Sequence, residues 1–362
     1  MRQTASSRSS GFTMQRLGII AGPEPDNPDE VGGLLNPGAA RGRDGQLYLF
    51  PRAVAQGNYS RIGIARVRCD DQGYPQGIER LGYALEPTAP YERRHHLGGC
   101  EDARVSYVRP LGRYVMAYVA WGERGPRIAL AVSTDLFTWQ RLGLLRFGLG
   151  CPEDMGDREN KDGLFFPDVV PDDYGRPSLA ILHRPMQIAG QPDDGPGSHP
   201  GIWLSHISLE AVRRDLQSLT CVDDAVLIAA PEQPWEQLKI GGGAPPVRTR
   251  HGWLLIYHGV AALRTTAIDV QHDLRYATAV MVLDARNPRR IRYRSMQPLL
   301  IPETPIEREG VKANVVFATG IDRCPPNAPA ISSAFPEAFD IYYGMGDTHI
   351  GVARLRVPAT LP

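Results

Sequence analysis

A two-strand phrase recurs five times along this chain of 362 residues, and it restricts the possible folds more than any other feature. In each copy an apolar run ends in a polar residue, a turn follows, and a second run of the type Ile-Gly-Ile-Ala comes next. The copies read QLYLFPR…RIGIARV from Gln46, RYVMAYVAW…RIALAVS from Arg113, SLAILHRP…GIWLSHI from Ser178, GWLLIYHGV…ATAVMVL from Gly252 and FDIYYGMGDTHIGVARL from Phe339. Successive starts are 67, 65, 74 and 87 residues apart. Strand pairs repeated at such a period predict an all-β chain folded as a five-bladed β-propeller around a central pocket, with long loops on the blades. A shared polar residue at the same strand end argues against a sandwich with accidental similarity.

The runs carry strand chemistry: β-branched and aromatic residues between Gly or Pro boundaries. RYVMAYVAW stops at Gly122, and HGWLLIYHGV is bounded by Gly252 and Gly259. LEAVRRDLQSL (Leu209 to Leu219) is the best candidate for a short helix. DDYGRP (Asp172 to Pro177) and QPDDGPGSHP (Gln191 to Pro200) read as turn-rich loops. The 38 Gly and 32 Pro punctuate apolar runs, which is turn composition and not low complexity. The last strand, HIGVARLRV, is a candidate to pair with the first third of the chain and close the ring. No linker divides the chain. Residues 1–12 are expected to form a disordered arm and residues 13–362 a single propeller domain.

Lys plus Arg and Asp plus Glu each total 40, so the formal net charge is zero. That balance argues against a nucleic-acid or membrane-surface binder, which carries a basic excess. The five cysteines, Cys69, Cys100, Cys151, Cys221 and Cys324, are widely spaced and form no CxxC pair. They read as reduced thiols of a cytoplasmic protein, with no zinc site and no other metal. Residues 1–15 lack the apolar core of a signal peptide.

Three features point to chemistry. The first strand of each repeat ends at Arg52, Trp121, Arg184, His258 or Asp347, and five such ends could converge on one pocket suited to a sugar or small anion. In GGCEDARVSYV, Glu101 and Asp102 are adjacent. Neighbours on an extended segment point to opposite faces, so one carboxylate is expected in the pocket and the other bracing the loop. A carboxyl in such a pocket can serve as a general acid. Lys161, Arg184 and Lys239 stand beside apolar strands or Gly/Pro-rich turns and together suit a phosphate. Gly241 to Gly243 would let the backbone approach a ligand. No GKS or GKT is present, so this is not a P-loop. His95–His96 reads as pocket wall or surface, not as a ligand pair.

The chain resembles the β-mannoside phosphorylase family, glycoside hydrolase family 130. The resemblance rests on NPGAA (Asn36 to Ala40), LYLFPR ending at Arg52, EDAR (Glu101 to Arg104), NKDGLFFP, LHRP, KIGGGAPPVRTRHGWLLIYHGV, VLDARNP, NVVFATG and IYYGMGDTHIGVA, which together span about residues 30–355. It implies a five-bladed propeller and one catalytic carboxylic acid, Asp102, whose proton travels through a hydroxyl of the bound mannose. It implies phosphate binding by Lys161, Arg184 and Lys239, and sugar contacts by Asn36, Arg52, Arg104, His258, Tyr276 and Asp347. Lys161 stands where the family often has Arg, and Ala103 where it commonly has Pro.

These parts fit an inverting phosphorolysis of a β-mannoside, reversible, giving α-mannose 1-phosphate. Phosphate is already an anion and needs no general base, so one acid suffices. No cofactor is expected; inorganic phosphate is the co-substrate, a β-mannoside oligosaccharide the partner, and association into homo-oligomers is in keeping with the family. Two rivals stand. An inverting β-mannosidase would need a second carboxylate, with Glu153, Asp154 and Asp162 as candidates. A non-catalytic glycan-binding propeller would bind without turnover. Loops 86–99, 186–200 and 261–275 are expected to set linkage and acceptor.

Overall fold

The computed structural model describes residues 11–94, 97–186, 199–263 and 273–362. Its strands form five antiparallel blades about a common axis. Blade one holds Gly33–Arg41, Leu47–Ala55, Tyr59–Cys69 and Pro75–Leu85, from the axis outward. Blade two holds Leu97–Val108, Arg113–Gly122, Gly125–Ser133 and Gln140–Leu144. A short parallel contact, Tyr59 with Gly98 and Ser60 with Gly99, joins these two blades into one continuous sheet. Blade three holds Asn160–Phe165, Ser178–Pro185, Ile202–Ser208 and Cys221–Ala229. Blade four holds Lys239–Gly242, Gly252–Ala262, Leu274–Leu283 and Ile291–Arg294. Blade five holds Val316–Arg323, Glu337–Met345 and His349–Val357, and its outermost strand is Thr13–Ala21.

The ring therefore closes as the sequence suggested: Thr13–Ala21 pairs antiparallel with His349–Val357. The repeated phrase turns out to be the middle pair of each blade. The innermost strands, which line the axis, precede it and were not recognised. The expected helix is present as Leu209–Arg214, capped by Ser208, with a 3-10 turn over Leu216–Thr220. A second short helix, Pro305–Glu309, was missed. The strand expected to stop at Gly259 runs on to Ala262. A side chain at Gly259 would strike the ring of Trp235, so the glycine there serves packing and not a strand end. Of the expected arm, residues 1–10 lie outside the described residues, as does His95–His96; Phe12 is buried and packs against Tyr293. Among the described residues no helix is long and apolar enough to cross a membrane.

Each blade is sandwiched between two others, so its strands must be apolar on both faces, and this is why the runs are continuous and not alternating. Trp253, Leu255 and Tyr257 turn toward blade three, whereas Leu254 and Ile256 turn toward blade five. Leu179 and Ile181 face blade two, and Ala180 and Leu182 face blade four. The core is accordingly five wedges, one at each blade junction.

A second repeat, unnoticed in the sequence, fastens the loops that lead into the inner strands. Pro28-Asp29-Glu30, Pro90-Tyr91-Glu92, Pro234-Trp235-Glu236 and Pro305-Ile306-Glu307 each place a fully buried Glu in a tight turn. Each Glu takes an Arg from its own blade's outermost strand: Arg80, Arg141, Arg294 and Arg16 respectively. Three also accept a Tyr hydroxyl from the second strand, at Tyr118, Tyr257 and Tyr343. Backbone amides supply further donors to the same carboxylates, for example from Thr88 and Ala89 to Glu92. A buried carboxylate survives only when paired and hydrogen-bonded, and here it is both. Blade three has no Arg on its outermost strand; Asp154 in the equivalent loop bonds instead to Arg158 nearby.

Candidate active site

The inner strands of blades one, two and three share a device that aims side chains at the axis. Pairing skips between Leu35 and Gly38, between Glu101 and Arg104, and between Lys161 and Leu164. At each skip sits an Asn or Asp with left-handed backbone: Asn36 at φ 43°, Asp102 at φ 49° and Asp162 at φ 57°. Short polar side chains tolerate this region because they bond locally, and a bulge re-aims the strand. The bulge overturns the expectation that Glu101 and Asp102 point to opposite faces. Both line one cavity of about 370 Å³ at the N-terminal ends of the inner strands.

Blades one, two and five bring one set of groups. Arg52 lies between the carboxylates, 2.6 Å from Glu101 and 3.5 Å from Asp102. It also donates to Ser60 Oγ at 2.9 Å. Asn36 Nδ2 donates to Asp102 Oδ1 at 2.9 Å. Burial pushes the Glu101 carboxyl up, against the pull of Arg52 and Lys161. Burial likewise raises Asp347, which lines the cavity from the hairpin of blade five. Asn36 Oδ1 and Trp121 Nε1 belong to lining residues and have no partner within the protein. Buried polar atoms are ordinarily satisfied, so these are an acceptor and a donor to which sugar hydroxyls are suited.

Blades three and four bring the cations. Lys161, Arg184 and Lys239 all line the same cavity. The ammonium of Lys161 lies 5.2 Å from the centre of the Trp121 ring, and that of Lys239 lies 5.5 Å from Tyr276. Burial, with Arg184 and Lys161 nearby, pulls Lys239 down to about 7. A bound anion would relieve the crowding that lowers Lys239. Arg184 is held from below: its Nε donates to Asp162 Oδ2 at 2.6 Å. Burial alone would raise Asp162, but the Arg184 and Arg104 guanidinium groups outweigh it and hold the carboxyl well below its usual range. Tyr276 lines the wall, and burial pushes its hydroxyl up to about 12.

Two residues expected to contact sugar lie elsewhere. Arg104 and His258 are 2% and 1% exposed and stand outside the cavity wall, beneath it. Arg104 donates to Gly243 O at 3.0 Å, to Asp162 Oδ1 at 3.3 Å and to the carbonyl of Asp102. His258 lies 3.8 Å from Asp162, and burial depresses its pKa to about 3, so the ring is neutral. The sequence reading also missed Asn58, Glu159, Lys312 and Phe317 on the wall. Phe317 lies within the NVVFATG motif and Lys312 two residues before it, which was a signal within reach.

The glycines of blade four approach protein and not an open pocket. A Cβ on Gly241 would come within 2.6 Å of Arg184 Nε and of His258 Cε1, and closer still to Asp162. Gly241→Ala is therefore expected to destabilise the protein by about 1–3 kcal/mol through overpacking. It should also displace Arg184. Thermal melting together with phosphate titration checks both effects.

Five blades surround a polar axial cavity in which a carboxylate cluster faces a cationic cluster. The family profile described as β-1,4-mannooligosaccharide phosphorylase matches residues 222–360. A 1,2-β-oligomannan phosphorylase from a Thermoanaerobacter species is 28% identical over 349 residues, covering 92% of this chain and 94% of that one. The structure of a Listeria innocua β-1,2-mannobiose phosphorylase with β-1,2-mannobiose superposes with a TM-score of 0.66 at 22% identity, covering 95% and 96% of the two chains. A family 130 structure associated with hydrolases that target β-1,2-mannosidic linkages in Candida mannan gives 0.69 at 19% identity, covering 100% and 98%. The chain is thus similar to mannoside phosphorylases of glycoside hydrolase family 130 over nearly its whole length.

Proposed function

We propose that this protein is an enzyme that cleaves a β-mannoside with inorganic phosphate, inverting the anomeric carbon to give α-mannose 1-phosphate and a shortened acceptor. The observation that carries this reading is the shared cavity: Lys161 and Arg184 from blade three and Lys239 from blade four stand in the same space as Asp102 from blade two. Phosphate held by the cations attacks C1 with an oxygen lone pair. The bond from C1 to the glycosidic oxygen breaks, and the leaving oxygen takes the proton supplied by Asp102, relayed through a mannose hydroxyl. Asn36, Arg52, Tyr276 and Asp347 hold the sugar. The reaction reverses when mannose 1-phosphate and acceptor are in excess.

The geometry disfavours the hydrolytic alternative. Of the three candidate bases, Asp162 has both oxygens engaged, by Arg184 and Arg104. Glu153 and Asp154 lie off the cavity, the latter bonded to Arg158. Sugar release from β-1,2-, β-1,3- and β-1,4-mannobiose and mannosyl-glucose, with and without phosphate, tests the proposal. Mannose 1-phosphate formed only with phosphate is expected. Free mannose at equal rates in both would overturn it and make Glu159 the base to examine.

A further inference from the structure

We infer that Arg104 and Asp162 are a buried positioning pair that ties the placement of the acid to the placement of the phosphate-binding arginine. The inference rests on the proposed phosphorolysis for the roles of Asp102 and Arg184.

The bulges that aim Asp102 and Asp162 at the axis have a cost. Pairing skips residues 102 and 103 on one strand and 162 and 163 on the other, so these segments lose ladder support. Left-handed backbone at a non-glycine residue also persists only where its surroundings hold it. Arg104 supplies the missing support. It follows Asp102 by two residues and turns back beneath it, and each of its three nitrogens has a protein acceptor: Nη1 the Asp102 carbonyl, Nε Gly243 O, Nη2 Asp162 Oδ1. Its guanidinium also lies over the Phe317 ring, 5.5 Å from the centre. Asp162 divides its two oxygens between Arg104 and Arg184. One unbroken chain thus runs from the Asp102 backbone through Arg104 and Asp162 to the Arg184 side chain. Every side chain in its interior is at most 4% exposed. Lysine could not replace Arg104, because one ammonium cannot reach three acceptors in fork geometry.

Arg104→Lys, which keeps the charge, should lower kcat on an unactivated mannoside by about 10²-fold, the cost of misplacing a reacting group by about an ångström. Its phosphate KM should change only a few-fold. On a dinitrophenyl β-mannoside, whose leaving group needs no proton, the same variant should regain near wild-type kcat. A merely structural lesion would depress both substrates alike, and that result would overturn the inference for Arg104. Asp162→Asn should do the reverse, raising phosphate KM by about tenfold or more with a smaller loss of kcat. Tighter phosphate binding by this variant would make Asp162 a counter-charge and not an anchor, and would overturn its half. Should Asp162→Asn fail to fold, Asp162→Glu keeps the charge, moves the carboxylate by one methylene and carries the same test. Failure of the phosphorolysis reading is separately visible: the wild-type enzyme would then release free mannose. The leaving-group comparison for Arg104 would still decide its role.

Discussion

Asp102→Asn is expected to lower turnover of an unactivated β-mannoside by about 10²–10⁴-fold, the usual contribution of a general acid. The substitution should leave the fold intact. Asn tolerates left-handed backbone as Asp does, and its amide oxygen can still accept from Asn36 Nδ2, which lies 2.9 Å from Asp102 Oδ1. Arg52 keeps its closer partner, Glu101, at 2.6 Å. What disappears is the proton. A mannoside with a good leaving group should therefore be cleaved by the variant at near wild-type rate when phosphate is present. Glu101→Gln is the necessary companion, because Glu101 shares the cavity and burial raises its pKa. If Asp102→Asn retains most activity while Glu101→Gln loses it selectively on the unactivated substrate, the acid is Glu101.

Lys239→Ala should raise the phosphate KM by about 10–100-fold at pH 6, the worth of one charge-assisted hydrogen bond of about 1.5–3 kcal/mol. The effect should shrink as pH rises. With its pKa pulled to about 7, Lys239 is largely protonated at pH 6 and largely neutral at pH 8 in the free protein. A bound phosphate favours the ammonium, so binding above pH 7 must take up a proton, and affinity falls as pH climbs. Calorimetry in two buffers of different ionisation enthalpy would read that uptake directly. Phosphate's own ionisation near pH 7 works in the other direction but is common to both proteins, so the comparison cancels it. Equal phosphate dependence in variant and wild type at pH 6 would remove Lys239 from the anion site.

The blade count was legible because the middle strands of each blade are long, apolar on both faces and preserve a polar end. The inner strands were not, and the reason is local. NKDGLF and KIGG are short, and a bulge at Asn36, Asp102 or Asp162 breaks any period of two. The same bulge defeated the argument that Glu101 and Asp102 must diverge. Arg184 could be placed on the cavity because it stands at a strand end that the repeat fixes, whereas Asp102, Lys161 and Lys239, on the unrecognised inner strands, were placed by the resemblance of EDAR, NKDGLFFP and KIGGG. Arg104 and His258 could not be told from wall residues, since burial beneath a cavity and exposure within it leave the same mark on a sequence. The Pro-x-Glu turns were legible in principle, but their partners Arg16, Arg80, Arg141 and Arg294 lie 49 to 291 residues away, beyond any local pattern.

Closure of the ring has a consequence for how the molecule is made. Thr13 is paired with Arg356, so the strand Thr13–Ala21 has no strand partner until the chain has been made as far as His349–Val357. At about 5–20 residues per second, a ribosome takes roughly 20–70 s to cover that interval. Throughout it, a nine-residue segment must wait with its backbone groups unclaimed, while four blades assemble beside an open edge. Closing so distant a contact is entropically slow. Formation of the ring thus waits on one late contact, the pairing of Thr13–Ala21 with His349–Val357.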